Sequence, residues 1–118
     1  MSTLSVMDLI AEALELPDTI AKVEELFAAA ALTAEDARQS LADRTALLNT
    51  DETLIAGKNA EQRAAQVRLH TVAERAALRV ADAAQGELRR AIAHHERRLQ
   101  VLRVVIPVLG ARSDGGAT

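Results

Sequence analysis

The amino-acid sequence predicts an all-α protein, and three observations lead to that fold class. Apolar residues recur at helical spacing from Asn59 to about Val105, and no residue in that stretch demands that a helix stop. Serine, threonine, aspartate and asparagine precede several apolar runs, at positions where they can cap a helix. Strand signals are nearly absent, since only residues 101–108 are rich in β-branched side chains and these also keep helical spacing.

Residues 5–48 are predicted to form short acidic helices. The first begins at a Ser5 cap and is expected to stop at Pro17, because proline disfavours helical geometry in the residue before it. Asp18 is expected to cap a second helix and Thr33 a third. The apolar residues of the first helix are predicted to share one broad face: Leu9, Ile10, Ala13, Leu14 and Leu16.

The second half is predicted to form one long basic helix over residues 59–106. The segment 49–58 before it is expected to be a loop or a short helix, with Gly57 as a strong loop signal. Gly86 is expected to bend the long helix, to break it, or to permit close approach of another helix. Pro107 is predicted to end or kink the helix.

Two apolar registers are predicted along this helix. The first stripe consists of Leu69, Val72 or Ala73, Ala76, Val80 and Ala84. The second has the alternating spacing of a coiled coil and is the predicted seam for an oligomer or partner: Leu88, Ile92, His95, Leu99, Leu102 and Ile106. Steps of four residues between Val80 and Ile92 predict a local stutter that shifts one stripe into the other.

These elements predict a single helical domain over residues 1–112 and a disordered tail at 113–118. The short helices are expected to pack along the long one as a helical bundle or antiparallel coiled coil. Phe27 is the only aromatic residue, so the core must use Leu, Ile, Val and many Ala side chains that bury little area each. We therefore expect a homo-oligomer, a dimer or higher, because oligomerisation commonly supplements a thin core.

The formal net charge of −3 conceals two halves of opposite sign. Residues 1–54 carry eleven acidic and three basic side chains, whereas residues 55–118 carry six acidic and eleven basic ones. This asymmetry indicates either an acidic half that folds back on a basic half, or a basic arm that binds nucleic acid or an acidic partner. The candidate phosphate contacts are Arg89, Arg90, Arg97, Arg98 and Arg103.

These arginines admit three interpretations. They can pair with acidic residues on a neighbouring helix, for which the natural partners are Glu12, Glu15, Glu24 and Glu25. They can contact phosphates with a salt-sensitive affinity that is blind to sequence. They can also lie on an anionic membrane, but we expect no membrane partner because no aromatic residue would anchor the helix there.

The sequence contains no recognisable catalytic, cofactor-binding or metal site, and we predict that the protein is not an enzyme. Cysteine is absent, which excludes a thiolate ligand or nucleophile. His94 and His95 point about 100° apart on a helix, and His70 with Glu74 would give zinc only two of its three or four ligands. No signal peptide or bilayer-spanning stretch is evident, so we expect a cytoplasmic protein.

One phrase carries a family resemblance. Gly57-Lys-Asn-Ala-Glu-Gln-Arg63 reads physically as a loop, a cap at Asn59 and the first turn of a long Ala/Arg/Glu helix. It resembles small, coiled-coil-like helical proteins of tailed bacteriophages and prophages, over roughly residues 50–105. The resemblance implies a phage-type context and no mechanism, since that family has no established activity.

We therefore expect a non-enzymatic helical interaction protein, an accessory or host-directed factor of a phage or prophage that acts through contacts with an unidentified protein. Two alternatives stay open. One is a nucleic-acid-associated accessory protein that binds DNA or RNA through its C-terminal arginines. The other is an inhibitor of a host nucleic-acid enzyme through an acidic surface that includes Glu24 and Glu25.

Overall fold

The structure, a computed structural model, describes the backbone of residues 5–116 and the side chains of residues 5–112. It contains three helices in this range and no strand: α1 (Val6–Asn49), α2 (Ala60–His70) and α3 (Val72–Gly116). The prediction of an all-α, helix-on-helix architecture is confirmed, but several of the predicted boundaries are wrong.

The prediction of short helices within residues 5–48 is the first correction, because α1 is one uninterrupted helix. Pro17, Asp18 and Thr33 lie inside it at exposed positions. The Thr33 hydroxyl donates to the carbonyl oxygen of Ala29 at 3.2 Å, so it bonds within the helix and does not cap a new one.

A continuous apolar seam explains why α1 does not break. Its positions alternate in steps of three and four residues across both predicted breaks, as in a coiled coil. Each of them is buried or half-buried: Val6, Leu9, Ala13, Leu16, Ile20, Val23, Phe27, Ala30, Ala34, Ala37, Leu41, Arg44 and Leu48. An interior proline costs ~3 kcal/mol. Because Leu16 and Ile20 on either side of Pro17 are both buried, their burial offsets that cost.

Two of the predicted helix caps are confirmed. The Ser5 hydroxyl accepts the Asp8 backbone N–H at 3.2 Å, and the Asp8 carboxylate accepts the Ser5 N–H at 3.1 Å. At the start of α2, the Asn59 side chain accepts the Gln62 N–H at 2.8 Å. Both caps satisfy backbone donors that a helix leaves unpaired in its first turn.

The long helix predicted over residues 59–106 is interrupted at Thr71, a second correction. Thr71 is fully buried and its hydroxyl donates to the Val67 carbonyl at 2.8 Å, while the Arg75 Nε donates to that hydroxyl at 3.0 Å. These bonds hold the C-terminus of α2 against the N-terminus of α3, so the interruption is a single residue long.

No break occurs at Gly86 or Pro107, both of which lie inside α3. The helix extends to Gly116, so most of the segment 113–118 predicted as a disordered tail has helical backbone. The last two residues of that segment, 117 and 118, lie outside the described residues.

The predicted first stripe of the long helix is a third correction. Leu69, Val72, Ala73, Ala76, Val80 and Ala84 are all exposed. The seam instead continues the register of Leu88 toward the N-terminus with no stutter, through Val67, Thr71, Glu74, Leu78, Ala81 and Gln85, all of them buried or half-buried. The exposed stripe is the more hydrophobic of the two, because the buried register includes a threonine, a glutamate and a glutamine. A prediction based on hydrophobicity therefore selects the wrong stripe.

The described residues form two compact units. We call residues 5–27 with 87–116 the terminal unit, and residues 28–86 the central unit. The single domain expected over residues 1–112 stays a prediction.

In the terminal unit, α1 and α3 run antiparallel. Glu12 of α1 pairs with Arg98 of α3, and Phe27, further along α1, contacts Arg89, which comes earlier on α3. The core between them consists of Leu9, Leu16, Ile20, Leu99 and Leu102, with Ala13, Val105, Ile106 and Leu109 packed against it. Branched aliphatic side chains from both helices therefore hold this unit together.

The central unit has a smaller core. Leu48 from the end of α1, Ile55 from the loop and Val67 from α2 form its buried cluster. Elsewhere in this unit, Arg38 Nη2 donates to Asp82 Oδ1 at 2.9 Å and joins α1 to α3.

The loop before α2 is closed by side chains of α2 itself. Gln66 Oε1 accepts the Gly57 N–H and Gln62 Oε1 accepts the Lys58 N–H, each at 2.9 Å. Arg63 Nε donates back to the Gly57 carbonyl oxygen at 3.0 Å. A Cβ at Gly57 would lie 2.8 Å from the Gln62 Cβ and 2.9 Å from the Arg63 backbone nitrogen, so this close approach requires glycine.

We predict that Gly57→Ala lowers the free energy of unfolding by about 1–3 kcal/mol, because the added methyl must displace backbone. Gly110→Ala is the matched control. It lies inside α3 with nothing within 4 Å of the added Cβ, so we expect it to raise stability by about 0.5–1 kcal/mol. Urea denaturation followed by helical circular dichroism measures both changes. Equal effects of the two substitutions would contradict the closed-loop geometry.

Candidate interaction surfaces

The predicted partner seam lies on the side of α3 that packs against α1. In the terminal unit, Leu99 and Leu102 are 8% and 1% exposed, and they share one core with α1. Ile106 packs against the same core, and Leu88, Ile92 and His95 are half-buried. Leu99, Leu102 and Ile106 therefore pack within the chain. A partner that binds this part of α3 must contact a different face of the helix.

The five candidate arginines divide into two groups. Arg98 faces Glu12 with two hydrogen bonds, from Nε to Oε2 at 2.6 Å and from Nη2 to Oε1 at 2.9 Å. The Arg89 guanidinium carbon lies 5.5 Å from the centre of the Phe27 ring, within the range of a cation–π contact. Both cations are thus engaged by α1.

The remaining three, Arg90, Arg97 and Arg103, are exposed. Among the residues whose side chains the structure describes, none of the three has a carboxylate within 4.0 Å. Arg90 and Arg97 are seven residues apart and lie on one face of α3. Arg103 lies about 120° around the helix from Arg97, so a phosphate-binding face would have Arg90 and Arg97 available instead of five arginines.

The Glu12–Arg98 pair is the one predicted acid–arginine contact that the structure contains. The hydrogen bonds from Arg98 hold the pKa of Glu12 below its ordinary value, and the Arg98 charge acts in the same direction, while partial burial opposes them. The same contact raises the pKa of Arg98. Glu15, Glu24 and Glu25 are exposed.

A shallow apolar groove of about 290 Å³ lies between α1 and α3 in the terminal unit. It is lined by Ile10, Ala13, Leu14, Leu99, Leu102, Arg103, Ile106 and Pro107. Leu14 is 73% exposed and Met7, two turns before it on the same face, is 72% exposed.

The sequence does not distinguish this groove from the seam between α1 and α3. The sequence assigns Ile10 and Leu14 to the same broad face as Leu9 and Leu16, but the structure buries the latter two and exposes Leu14. The available signal was a second run of three- and four-residue steps, Met7 to Ile10 to Leu14, beside the seam.

A second exposed apolar run lies on α3, on the side away from its seam. Val101, Val104 and Val108 follow steps of three and four residues and are 49%, 65% and 55% exposed. Isolated exposed apolar residues are normal, but three on one helical face form a contiguous patch.

The phrase that carries the phage-like resemblance has a structural explanation. Gly57, Asn59, Gln62 and Arg63 all take part in the closed loop and cap before α2. The loop residue Asp51 caps its own turn, because its carboxylate accepts from the Thr53 hydroxyl and backbone and thereby has a lowered pKa.

Within the described residues, no group of three or more His, Asp or Glu side chains is arranged to hold a metal ion. The rings of His94 and His95 contact each other edge to face, with centres 5.5 Å apart. None of the described helices has a stretch both long and apolar enough to cross a bilayer.

Comparison with known proteins places the chain in no family: no family model, no curated protein and no solved structure matches it.

We predict that the Glu12–Arg98 pair makes the stability of the helices sensitive to acid. Because the folded-state pKa of Glu12 lies below its unfolded value, the stabilisation is present above about pH 4.3 and is lost as the pH falls through the lowered value. Thermal melts between neutral and acidic pH should show a smaller loss of Tm for Glu12→Gln than for the wild type. The control Glu24→Gln changes an exposed glutamate and should behave as the wild type, and identical profiles for all three proteins would contradict the assignment.

Proposed function

We propose that the protein is a non-enzymatic helical interaction protein that acts through protein–protein contacts, as an accessory or host-directed factor of a phage or prophage. The main support is the distribution of apolar side chains. Twelve large hydrophobic residues are exposed among those described, whereas eight large hydrophobic residues and two alanines are buried. Eleven of the twelve lie on helices, and a chain that exposes this many apolar side chains has surfaces suited to binding other helices.

The valine patch of α3 is the surface that we assign to a heterologous protein. The exposed Arg97 lies one turn before Val101 on the same face of α3, so an apolar strip with a basic neighbour faces outward. Its complement is an amphipathic helix with an apolar stripe and acidic edges. The phage-type context rests on the Gly57–Arg63 phrase alone.

We predict that the double variant Val101→Asp/Val104→Asp loses its partner in affinity capture from the native cells. Two buried charges would oppose the apolar contact, so recovery should fall by about tenfold or more. The control Val72→Asp/Val80→Asp changes two similarly exposed valines of the central unit and should recover the partner as the wild type does. Quantitative mass spectrometry of the captured proteins measures the ratio. Equal recovery by the double variant, with its helical signal intact, would refute this surface.

A second candidate function is nucleic-acid binding, which the exposed Arg90 and Arg97 on one face of α3 favour. Two phosphate contacts predict a slope of about −2 in log affinity against log salt, or a loss of roughly twelvefold between 50 and 200 mM. Arg90→Gln/Arg97→Gln should reduce both affinity and slope for duplex DNA or RNA in fluorescence anisotropy. Arg79→Gln in the central unit is the control. A salt-independent affinity, or none at 50 mM salt, would exclude this function.

A further inference from the structure

We propose that the apolar groove of the terminal unit is the docking surface for a second copy of this chain. In this contact, the outer stripe of α1 from one copy (Met7, Ile10 and Leu14) lies in the groove of the other, and the contact is two-fold symmetric. The inference deepens the proposed function, since it assigns one of the interaction surfaces and its occupant.

The first argument is exposure. The groove is open to solvent on the side where Leu14 and Met7 stand 73% and 72% exposed. Its floor consists of side chains that already belong to the core, Leu99 and Leu102 among them, so an occupant would extend that core outward. Burying a leucine-sized side chain favours association, and a two-fold contact buries each residue of the stripe in both copies.

The second argument is charge. Arg103 stands at the rim of the groove, exposed and with no carboxylate within 4.0 Å among the described side chains. A suitable occupant therefore has apolar side chains flanked by acidic ones. The outer stripe of α1 has this composition, because Asp8 and Glu15 directly follow Met7 and Leu14 and are exposed.

The third argument is self-complementarity. A two-fold contact requires that one patch contain both the inserted surface and the surface that receives it. Here α1 supplies the apolar stripe with acidic flanks, and α3 supplies the basic rim. The charged side chains beside the patch are exposed and of opposite sign, with Asp8 and Glu15 on α1 and Arg103 on α3. Pairing α1 of one copy with α3 of the other therefore brings opposite charges together twice.

The first experiment is analytical ultracentrifugation of the full chain, with interference optics because the sequence contains no Trp or Tyr. We expect the wild type to sediment at about twice its mass of 12.6 kDa. Leu14→Asp should weaken the dimer by about a hundredfold, since two charges enter the apolar contact. Leu32→Asp, at a similarly exposed leucine outside the groove, should change the dissociation constant by less than about twofold.

Charge reversal tests the rim separately. Arg103→Glu should weaken the dimer by about tenfold, and high salt should weaken the wild-type dimer in the same direction. Arg90→Glu, an exposed arginine that does not line the groove, is the control and should leave association unchanged. Circular dichroism of each variant verifies that its helices are intact.

Disulfide trapping tests the geometry in the otherwise cysteine-free chain. Ile10 is the middle residue of the stripe, so Ile10→Cys lies near the two-fold axis and should form a crosslinked dimer on oxidation. Leu32→Cys should not. A wild type that stays a single chain up to about 100 µM, or equal weakening by Leu14→Asp and Leu32→Asp, overturns the inference. Retained capture of a heterologous partner in that case would leave the proposed function standing, because its test uses the valine patch.

Discussion

The architecture depends on one spacing rule, the alternation of three and four residues between seam positions on α1 and α3. This alternation keeps the same side of a helix facing its neighbour over many turns. In α1 the rule is kept from Val6 to Leu48 without a change of phase, and on α3 the same register runs through Leu88, Leu99 and Leu102. Local features that oppose a helix, such as Pro17, are tolerated because they lie off the seam.

A seam that is one stripe wide also explains the surfaces. A two-helix contact buries about one side of each helix and leaves the other sides to water. The residues immediately beside the seam therefore decide how the protein meets other molecules. In the terminal unit these are apolar near Leu14 and near Val104, and charged around Arg97. The ion pair of Glu12 with Arg98 lies at the edge of the seam, because each side chain is roughly one-third exposed to solvent.

The sequence was sufficient for the fold class and for the strongly apolar part of the seam from Leu88 onward, because large aliphatic side chains dominate there. The sequence-based prediction was wrong where a local helix-stop or helix-start signal conflicted with the regular spacing of seam residues along the whole helix. Pro17 and Thr33 have the chemistry of a stop and a start, yet both lie inside α1. The burial of Thr71, Glu74 and Gln85 was not predicted, because these seam residues are more polar than the exposed residues beside them. The groove at Leu14 was missed because a pattern cannot tell which of two adjacent stripes faces a second helix.

The pairing of Glu12 with Arg98 also constrains the order in which the chain can be assembled. These two residues are 86 positions apart, whereas Arg38 and Asp82 of the central unit are 44 apart. Closing the shorter loop first loses less chain entropy, so the contacts of the central unit should form before those of the terminal unit. During synthesis, the aliphatic face of residues 9–20 must wait for Leu99 and Leu102 to leave the ribosome. Until then that face is open to any chaperone, or to another nascent copy of the same polypeptide.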